Sequence, residues 1–170
     1  MMNIALPPWT EPGANESFLK REWLETNGRG GYASSTLLNC HTRKYHGLLV
    51  ANLASPPGRY VLLSKFEDSL RLRGREIFFS GHQYPGTFFP DKVLLREFIL
   101  DDYPAFLFTA DLPGPGTPPG GQGGAPAGGT IRLRKSVLMV GGEDAVLVRY
   151  DLEAGPAGAV LRLRPFLAYR

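Results

Sequence analysis

The run IRLRKSVL at residues 131–138 shows the clearest structural pattern in the sequence. In its first half, isoleucine and leucine alternate with two arginines. Successive side chains of a strand point to opposite faces, so this spacing puts the apolar residues on a buried face and the arginines in solvent. The run VLRLRP at residues 160–165 repeats the pattern. Both runs therefore predict strands with one wet face and one buried face.

The rest of the sequence has the composition of an antiparallel β protein. Short segments rich in Val, Leu, Phe, Tyr and Thr are punctuated by 21 glycines and 15 prolines. No segment shows a sustained helical period, and the spacing leaves no room for the crossover helices that parallel strands need. The predicted strands are Leu19–Leu24, Tyr32–Leu38, Tyr45–Asn52, Tyr60–Phe66, Ser69–Arg73, Glu76–Ser80, Leu94–Leu100, Ala105–Ala110, Thr130–Val140, Ala145–Leu152 and Ala159–Leu167.

When two sheets pack face to face, each strand can bury its apolar face between them and leave its polar face in solvent. The fold class that we predict is all-β: a two-sheet antiparallel β-sandwich, supersandwich-like, with negligible helix. A chain of 170 residues suits one domain, and we assign residues 1–170 to it. Residues 113–129, PGPGTPPGGQGGAPAGG, have no apolar side chain larger than alanine, so we predict a flexible Gly/Pro loop there.

The charge balance gives no indication of a nucleic-acid partner. The chain has 19 Lys and Arg against 16 Asp and Glu, a formal net charge of +3. Many arginines recur at the spacing of one strand face, which favours a solvated sheet face, and most aromatic residues lie within apolar runs where they cannot stack on bases. The alternating arginines are Arg71, Arg73, Arg75, Arg132, Arg134, Arg162 and Arg164.

The single cysteine excludes an internal disulfide framework and favours a reducing compartment. The first residues, MMNIALPPWTEPG, lack the basic and apolar regions of a signal peptide. No apolar run is long enough to span a bilayer. We therefore expect a cytoplasmic protein without a membrane partner.

Residues 28–33, GRGGYA, satisfy the dinucleotide pattern G-x-G-x-x-A, but their context does not. Such a loop must open a helix, whereas the residues that follow, SSTLL, favour a strand. No acidic residue stands about twenty positions further on, where a ribose hydroxyl would need it. We predict no cofactor and interpret Asn27-Gly28 as a turn that requires positive φ.

Cys40, His41 and His46 raise the question of a metal site or a Cys-His pair. Adjacent residues on a strand point to opposite faces, and the spacing fits no zinc pattern. We predict no metal site and interpret Cys40 as structural.

A glycosidase needs one carboxyl group as acid and another as base or nucleophile. No carboxylate of this chain stands in a setting that singles it out: Asp101-Asp102 is interpreted as a turn between strands and Glu67-Asp68 as a strand-to-strand corner. We therefore predict no catalytic residue in the chain. The candidates considered are Glu22, Glu25, Glu67, Asp68, Asp91, Glu97, Asp101 and Asp102.

Three segments carry a resemblance to a known family: EWL at 22–24, TNGRGGYASST at 26–36 and TRKYHGLLVA at 42–51. They resemble the N-terminal region of the archaeal and bacterial type of glycogen debranching enzyme, the amylo-α-1,6-glucosidase family. Weaker similarity continues through residues 61–67, 134–139, 148–152 and 163–170. The chain departs from the family in the Gly/Pro insert and at Arg29, where members often carry a smaller or apolar residue.

The resemblance implies an N-terminal β-sandwich that precedes an (α/α)6 barrel, which holds the acidic catalytic residues and hydrolyses α-1,6 branch points. We expect that barrel to be absent from this chain, which would then be inactive alone. The expected partners are this catalytic domain and an α-glucan, glycogen or limit dextrin. A stand-alone carbohydrate-binding or interaction module is the alternative.

Two polar segments bounded by apolar strands are the expected sugar-binding residues. Polar residues in such positions belong at strand ends and not in the core, so we predict that the segments form one cluster at an end of the sandwich. Substrate binding is assigned to Asn27, Arg29, Tyr32, Arg43, Tyr45 and His46.

Overall fold

In the computed structural model, strands account for most of the described residues, which are 1–6, 14–89, 94–112, 114 and 128–170. The predicted flexible loop lies outside them, apart from residues 114, 128 and 129. The elements in chain order are β1 (Met2–Ala5), α1 (Ala14–Leu19), β2 (Glu22–Thr26), β3 (Tyr32–Thr36), β4 (Gly47–Ala54), β5 (Pro57–Leu72), β6 (Arg75–Phe78), β7 (His82–Tyr84), β8 (Thr87–Phe89), β9 (Leu95–Leu100), β10 (Pro104–Asp111), β11 (Thr130–Met139), β12 (Val146–Ala154) and β13 (Val160–Leu167).

These strands form two large antiparallel sheets and one small hairpin. The first sheet has five strands in the order β1-β9-β10-β11-β12. The second has six: β13-β5-β4-β3-β2, with β6 paired to β5 beyond the end of β4. Strands β7 and β8 pair only with each other among the described strands. The predicted two-sheet, all-β fold is confirmed, and the one helix in the described part of the chain has six residues.

The core lies where the apolar faces of the two sheets meet. Phe106 of the five-stranded sheet is fully buried, and its ring centroid lies 5.6 Å from that of Trp23 in the six-stranded sheet. The ring of Phe98, on the neighbouring strand β9, packs against the ring of Phe106, and the two ring centroids are 5.1 Å apart. Burying each such side chain contributes roughly 1.5–3 kcal/mol, so these aromatics fix how the sheets face one another.

The connection between β3 and β4 is pinned to the end of β3. The hydroxyl of Thr36 donates to the carbonyl of Cys40 (2.8 Å) and accepts from its N–H (3.2 Å). Leu37 and Leu38 turn into the core. This anchoring holds residues 39–46 against the six-stranded sheet, where the candidate site lies.

The predicted corner at Glu67-Asp68 is wrong, because β5 runs unbroken through both residues. Asp68 points into the sandwich, where Lys135 and Tyr150 bond its carboxylate. An acidic residue can continue a strand when its charge is matched inside. The predicted turn at Asp101-Asp102, by contrast, is confirmed between β9 and β10.

Several predicted strand ends also differ from the structure. Leu19 ends α1, so the strand predicted from it begins at Glu22 instead. Tyr45 and His46 lie before β4, which begins at Gly47. Strands β1, β7 and β8 were not predicted, because runs of three or four residues carry too little alternation to be recognised. Within the described residues, no helix is long and apolar enough to cross a membrane.

Candidate functional site

The turn between β2 and β3 is organised around the side chain of Asn27, which is 3% exposed. Its Oδ1 accepts hydrogen bonds from the backbone N–H groups of Arg29 and Gly31, both at 2.9 Å. Its Nδ2 donates to the Glu143 carbonyl at 2.8 Å and to Asp144 Oδ1 at 3.3 Å. The hydrogen-bonding capacity of Asn27 is thus used within the protein, where it ties this turn to the β11–β12 turn.

The neighbouring turn residues are held in the same way. Arg29 donates from its guanidinium to the Gly142 carbonyl at 2.9 Å, and its own carbonyl accepts from Asn52 Nδ2 at 2.9 Å. Gly30 has φ +90°, and a Cβ on Gly31 would lie 2.5 Å from Asn27 Nδ2. The expected positive-φ turn is therefore present, with Gly28 at φ 74°. We call residues 27–31 the turn cluster.

Replacing Asn27 with alanine is expected to lower the free energy of unfolding by about 2–3 kcal/mol, because buried N–H groups lose their acceptor. Urea denaturation of the chain measures this change. Asn3→Ala, at an exposed asparagine of β1, is the control and should change stability by less than about 0.5 kcal/mol. Equal effects of the two variants would show that the turn cluster does not depend on Asn27.

The second predicted segment, Arg43 to His46, is organised around Glu22. Arg43 Nε donates to Glu22 Oε1, and His46 Nε2 lies 3.4 Å from the same oxygen without hydrogen-bond geometry. His46 Nδ1 accepts from the N–H of Thr42 at 3.1 Å, which leaves the proton of the neutral ring on Nε2. Burial lowers the pKa of His46, and the Glu22 carboxylate opposes this in part. We call Glu22 and residues 43–46 the Tyr45 surface, after its most exposed aromatic.

One hydrogen bond joins the two predicted segments: the hydroxyl of Tyr32 donates to the Tyr45 carbonyl at 3.1 Å. The Tyr45 ring is 57% exposed, and the Lys44 ammonium lies 5.4 Å from its centroid. Glu22 begins β2, whereas Asn27 directly follows its last residue. The structure thus places the predicted residues in two networks at the two ends of β2, with Tyr32 reaching between them.

A cleft of about 190 Å³ adjoins the Tyr45 surface. The ring of His41 in the cleft meets the ring of His46 edge-on, with centroids 5.7 Å apart. Three segments form the cleft: the middle of the β3–β4 connection, the middle of β5, and β7. Its lining residues are Cys40, His41, Ser64, Lys65, His82, Gln83 and Tyr84.

Hydrogen bonds between these segments hold the cleft in shape. The N–H of Gly81 donates to the Leu38 carbonyl at 3.0 Å, and Lys65 Nζ donates to the Gly81 carbonyl at 2.8 Å. His41 Nδ1 and Ser64 Oγ are 3.2 Å apart and share a hydrogen bond. A Cβ on Gly81 would lie 2.4 Å from Phe88 Cζ and 3.2 Å from the Leu38 carbonyl oxygen, so the close packing at this position favours glycine.

Burial disfavours the charged forms of the titratable groups in the cleft. Desolvation, aided by the nearby Lys65 charge, lowers the pKa of His41 to about 3. Burial also lowers the pKa of Lys65 to about 8 and that of His82 below its usual value. The same desolvation raises the pKa of the Cys40 thiol. At neutral pH the imidazoles are therefore uncharged and the thiol is protonated, in line with a structural Cys40.

An acidic residue stands at the side of the cleft. Glu67 Oε1 pairs with Arg164 at 2.8 Å, and Glu67 Oε2 lies 3.3 Å from His82 Nε2 without hydrogen-bond geometry. Among the described residues, no group of three or more His, Cys, Asp or Glu is placed to hold a metal ion. The cleft is thus suited to hydrogen bonding with a polar ligand.

The sequence analysis did not identify Ser64, Lys65 or residues 82–84 as site residues. The available signal was slight: His82 and Tyr84 are two apart, so a strand would put both on one face, and Gly81 precedes them. In the structure their rings are parallel within 8°, with centroids 6.3 Å apart. Nothing in the sequence indicates that this short strand lies against β5.

One known protein family matches nearly the whole chain. Residues 21–170 match the family model described as glycogen debranching enzyme N terminal. Comparisons with the curated proteins and with the solved structures gave no match. The matched residues include the turn cluster, the Tyr45 surface and the cleft.

Proposed function

Because the chain belongs to the family of glycogen debranching enzyme N-terminal domains, we propose that it serves as the non-catalytic N-terminal domain of an enzyme that acts on α-1,6 branch points. In this role it supports a helical catalytic barrel and contributes to the binding of an α-glucan, glycogen or limit dextrin. The acid and base of the reaction belong to the barrel.

The observation that carries the glucan-binding part of this proposal is the Tyr45 surface. It presents an exposed aromatic ring beside a cation and an Arg43–Glu22 ion pair. An aromatic ring offers a flat apolar platform to the carbon face of a sugar, while charged groups bond its hydroxyls. A sugar ring has both kinds of surface, so this combination suits a glucan.

The support for a separate catalytic domain comes from the carboxylates themselves. Glu22 is bonded to Arg43, Asp68 to Lys135, and Glu67 to Arg164. A carboxylate held in an ion pair within the domain is already engaged there and is not directed at a substrate. We therefore infer that these groups organise the domain and do not cleave the glycosidic bond.

Arg43→Ala and Tyr45→Ala, made in a debranching enzyme that carries this domain, are each expected to lower debranching activity about tenfold, the loss of one charge-assisted hydrogen bond or one stacking platform. Glucose release from limit dextrin measures this activity. Thermal stability should barely change, because both side chains are exposed.

The controls are an exposed arginine and an exposed tyrosine of the other sheet. Arg132 forms a looser ion pair with Glu153, at 3.7 Å, and Tyr103 is an exposed tyrosine in the turn between β9 and β10. Their alanine variants should keep full activity. Full activity of Arg43→Ala and Tyr45→Ala would refute the glucan-binding role, and glucose release by the 170-residue chain alone would refute the non-catalytic role.

A further inference from the structure

We propose that the cleft between His41, Lys65 and Tyr84 is a binding subsite for one uncharged pyranose ring of an α-glucan. This inference rests on the proposed function and adds to it a second contact, next to the Tyr45 surface. The two regions meet where the rings of His41 and His46 are in contact. His46 is 3% exposed, so this contact lies beneath the surface and shows that the two regions adjoin one another.

The size of the cleft favours a single sugar unit. Its volume is about 190 Å³, below the roughly 300–1,000 Å³ of pockets that enclose drug-sized ligands. The walls come from backbone segments already bonded to one another through Gly81, Leu38 and Lys65. A preformed site of this kind does not have to be ordered when the ligand binds, which lowers the cost of binding.

The chemistry of the lining favours an uncharged, hydroxyl-rich ligand. Ser64, Gln83 and the neutral imidazole of His41 offer both donors and acceptors. The Tyr84 ring, 55% exposed, stands at the edge beside the parallel ring of His82 and provides an apolar platform.

The charged groups around the cleft are engaged in contacts within the protein. Lys65 is its one lining ammonium, and this group already donates to the Gly81 carbonyl. Glu67 stands beside His82, and the charges of Glu67 and Asp68 act on Lys65. Glu67 is also paired with Arg164, and Asp68 with Lys135, so the cleft offers a ligand mainly hydrogen-bonding groups.

The test is a titration of the ¹⁵N-labelled chain with maltose, followed by amide chemical shifts. We expect shifts at the amides of His41, Ser64, Lys65, Gln83 and Tyr84. Tyr84→Ala should weaken maltose affinity about three- to tenfold through loss of the stacking ring. Gln83→Ala should weaken it as well, and Tyr103→Ala, which alters a tyrosine of the other sheet, should leave it unchanged. Melting temperatures of the variants confirm that they fold.

Three other results would each decide between the cleft subsite and the Tyr45 surface. Shifts confined to Tyr45 and its neighbours would overturn the subsite and leave the proposed function standing. Shifts of the cleft amides by inorganic phosphate equal to those by maltose would identify an anion site and also overturn it. Maltose shifts in the cleft, together with full debranching activity of Arg43→Ala and Tyr45→Ala, would support the subsite while the Tyr45 surface loses its role.

Discussion

Lys135→Ala is expected to lower the free energy of unfolding by about 3–5 kcal/mol, because it leaves the carboxylate of Asp68 buried without its cation. The side chains are 3% and 1% exposed, and Lys135 Nζ lies 2.6 Å from Asp68 Oδ2. The hydroxyl of Tyr150 donates to the same oxygen at 3.1 Å. Since Asp68 lies on β5 and the other two residues on β11 and β12, this network connects the two sheets through the core.

Arg134, the preceding residue on the same strand, gives a matched control. It pairs with Glu153 at 3.2 Å on the outer face, so Arg134→Ala should cost less than about 1 kcal/mol. Replacing both partners of the buried pair, as Lys135→Met with Asp68→Leu, should restore much of the loss, because apolar residues of similar volume need no matching charge. Urea denaturation of the four proteins, wild type included, measures these changes. Equal losses in Lys135→Ala and Arg134→Ala would contradict the prediction.

The same strand shows how far sequence alone could go. The alternation that placed Ile131 and Leu133 on the buried face continues in the structure through Lys135, Val137 and Met139, which are all buried. Strand period therefore predicts that a lysine points into the core. Its partner lies 67 residues away on the opposite sheet, and no periodicity along one strand encodes that pairing. The acidic pair that contains the partner was interpreted as a corner for the same reason.

In the candidate site, too, some features could be predicted from the sequence and others could not. The glycines of the turn cluster were recognised correctly as a turn, because a requirement for positive φ is a local property that a sequence displays. The cleft instead depends on desolvation of His41 and on the meeting of segments that are far apart in the sequence, and both arise only when the chain folds. Local backbone requirements and the face on which a strand residue lies can be predicted from sequence, whereas contacts between distant segments cannot.

The protein should lose stability steeply as the pH falls from about 7 to 4. His41 has a pKa of about 3 in the folded protein, well below the 6.5 of an unburied histidine. Between these values the unfolded chain binds a proton that the folded protein does not, so acid favours unfolding. The stabilisation is complete above pH 6.5 and is lost progressively as the pH falls towards 3. Each unit of pKa difference corresponds to about 1.4 kcal/mol, so His41 alone accounts for about 3 kcal/mol between pH 7 and pH 4. The lowered pKa values of His46 and His82 act in the same direction.

His41→Gln isolates this contribution, because carboxylates that titrate over the same range do so in both proteins. The difference in free energy of unfolding between wild type and His41→Gln should shift by about 3 kcal/mol in favour of the variant as the pH falls from 7 to 4. Gln83→Ala, a substitution in the same cleft that removes no titrating group, is the control, and its difference from wild type should stay constant with pH. Denaturant titrations at several pH values give both differences. A pH-independent difference for His41→Gln would mean that His41 has the same pKa in the folded protein as in the unfolded chain, and the lowered pKa assigned to it would then be wrong.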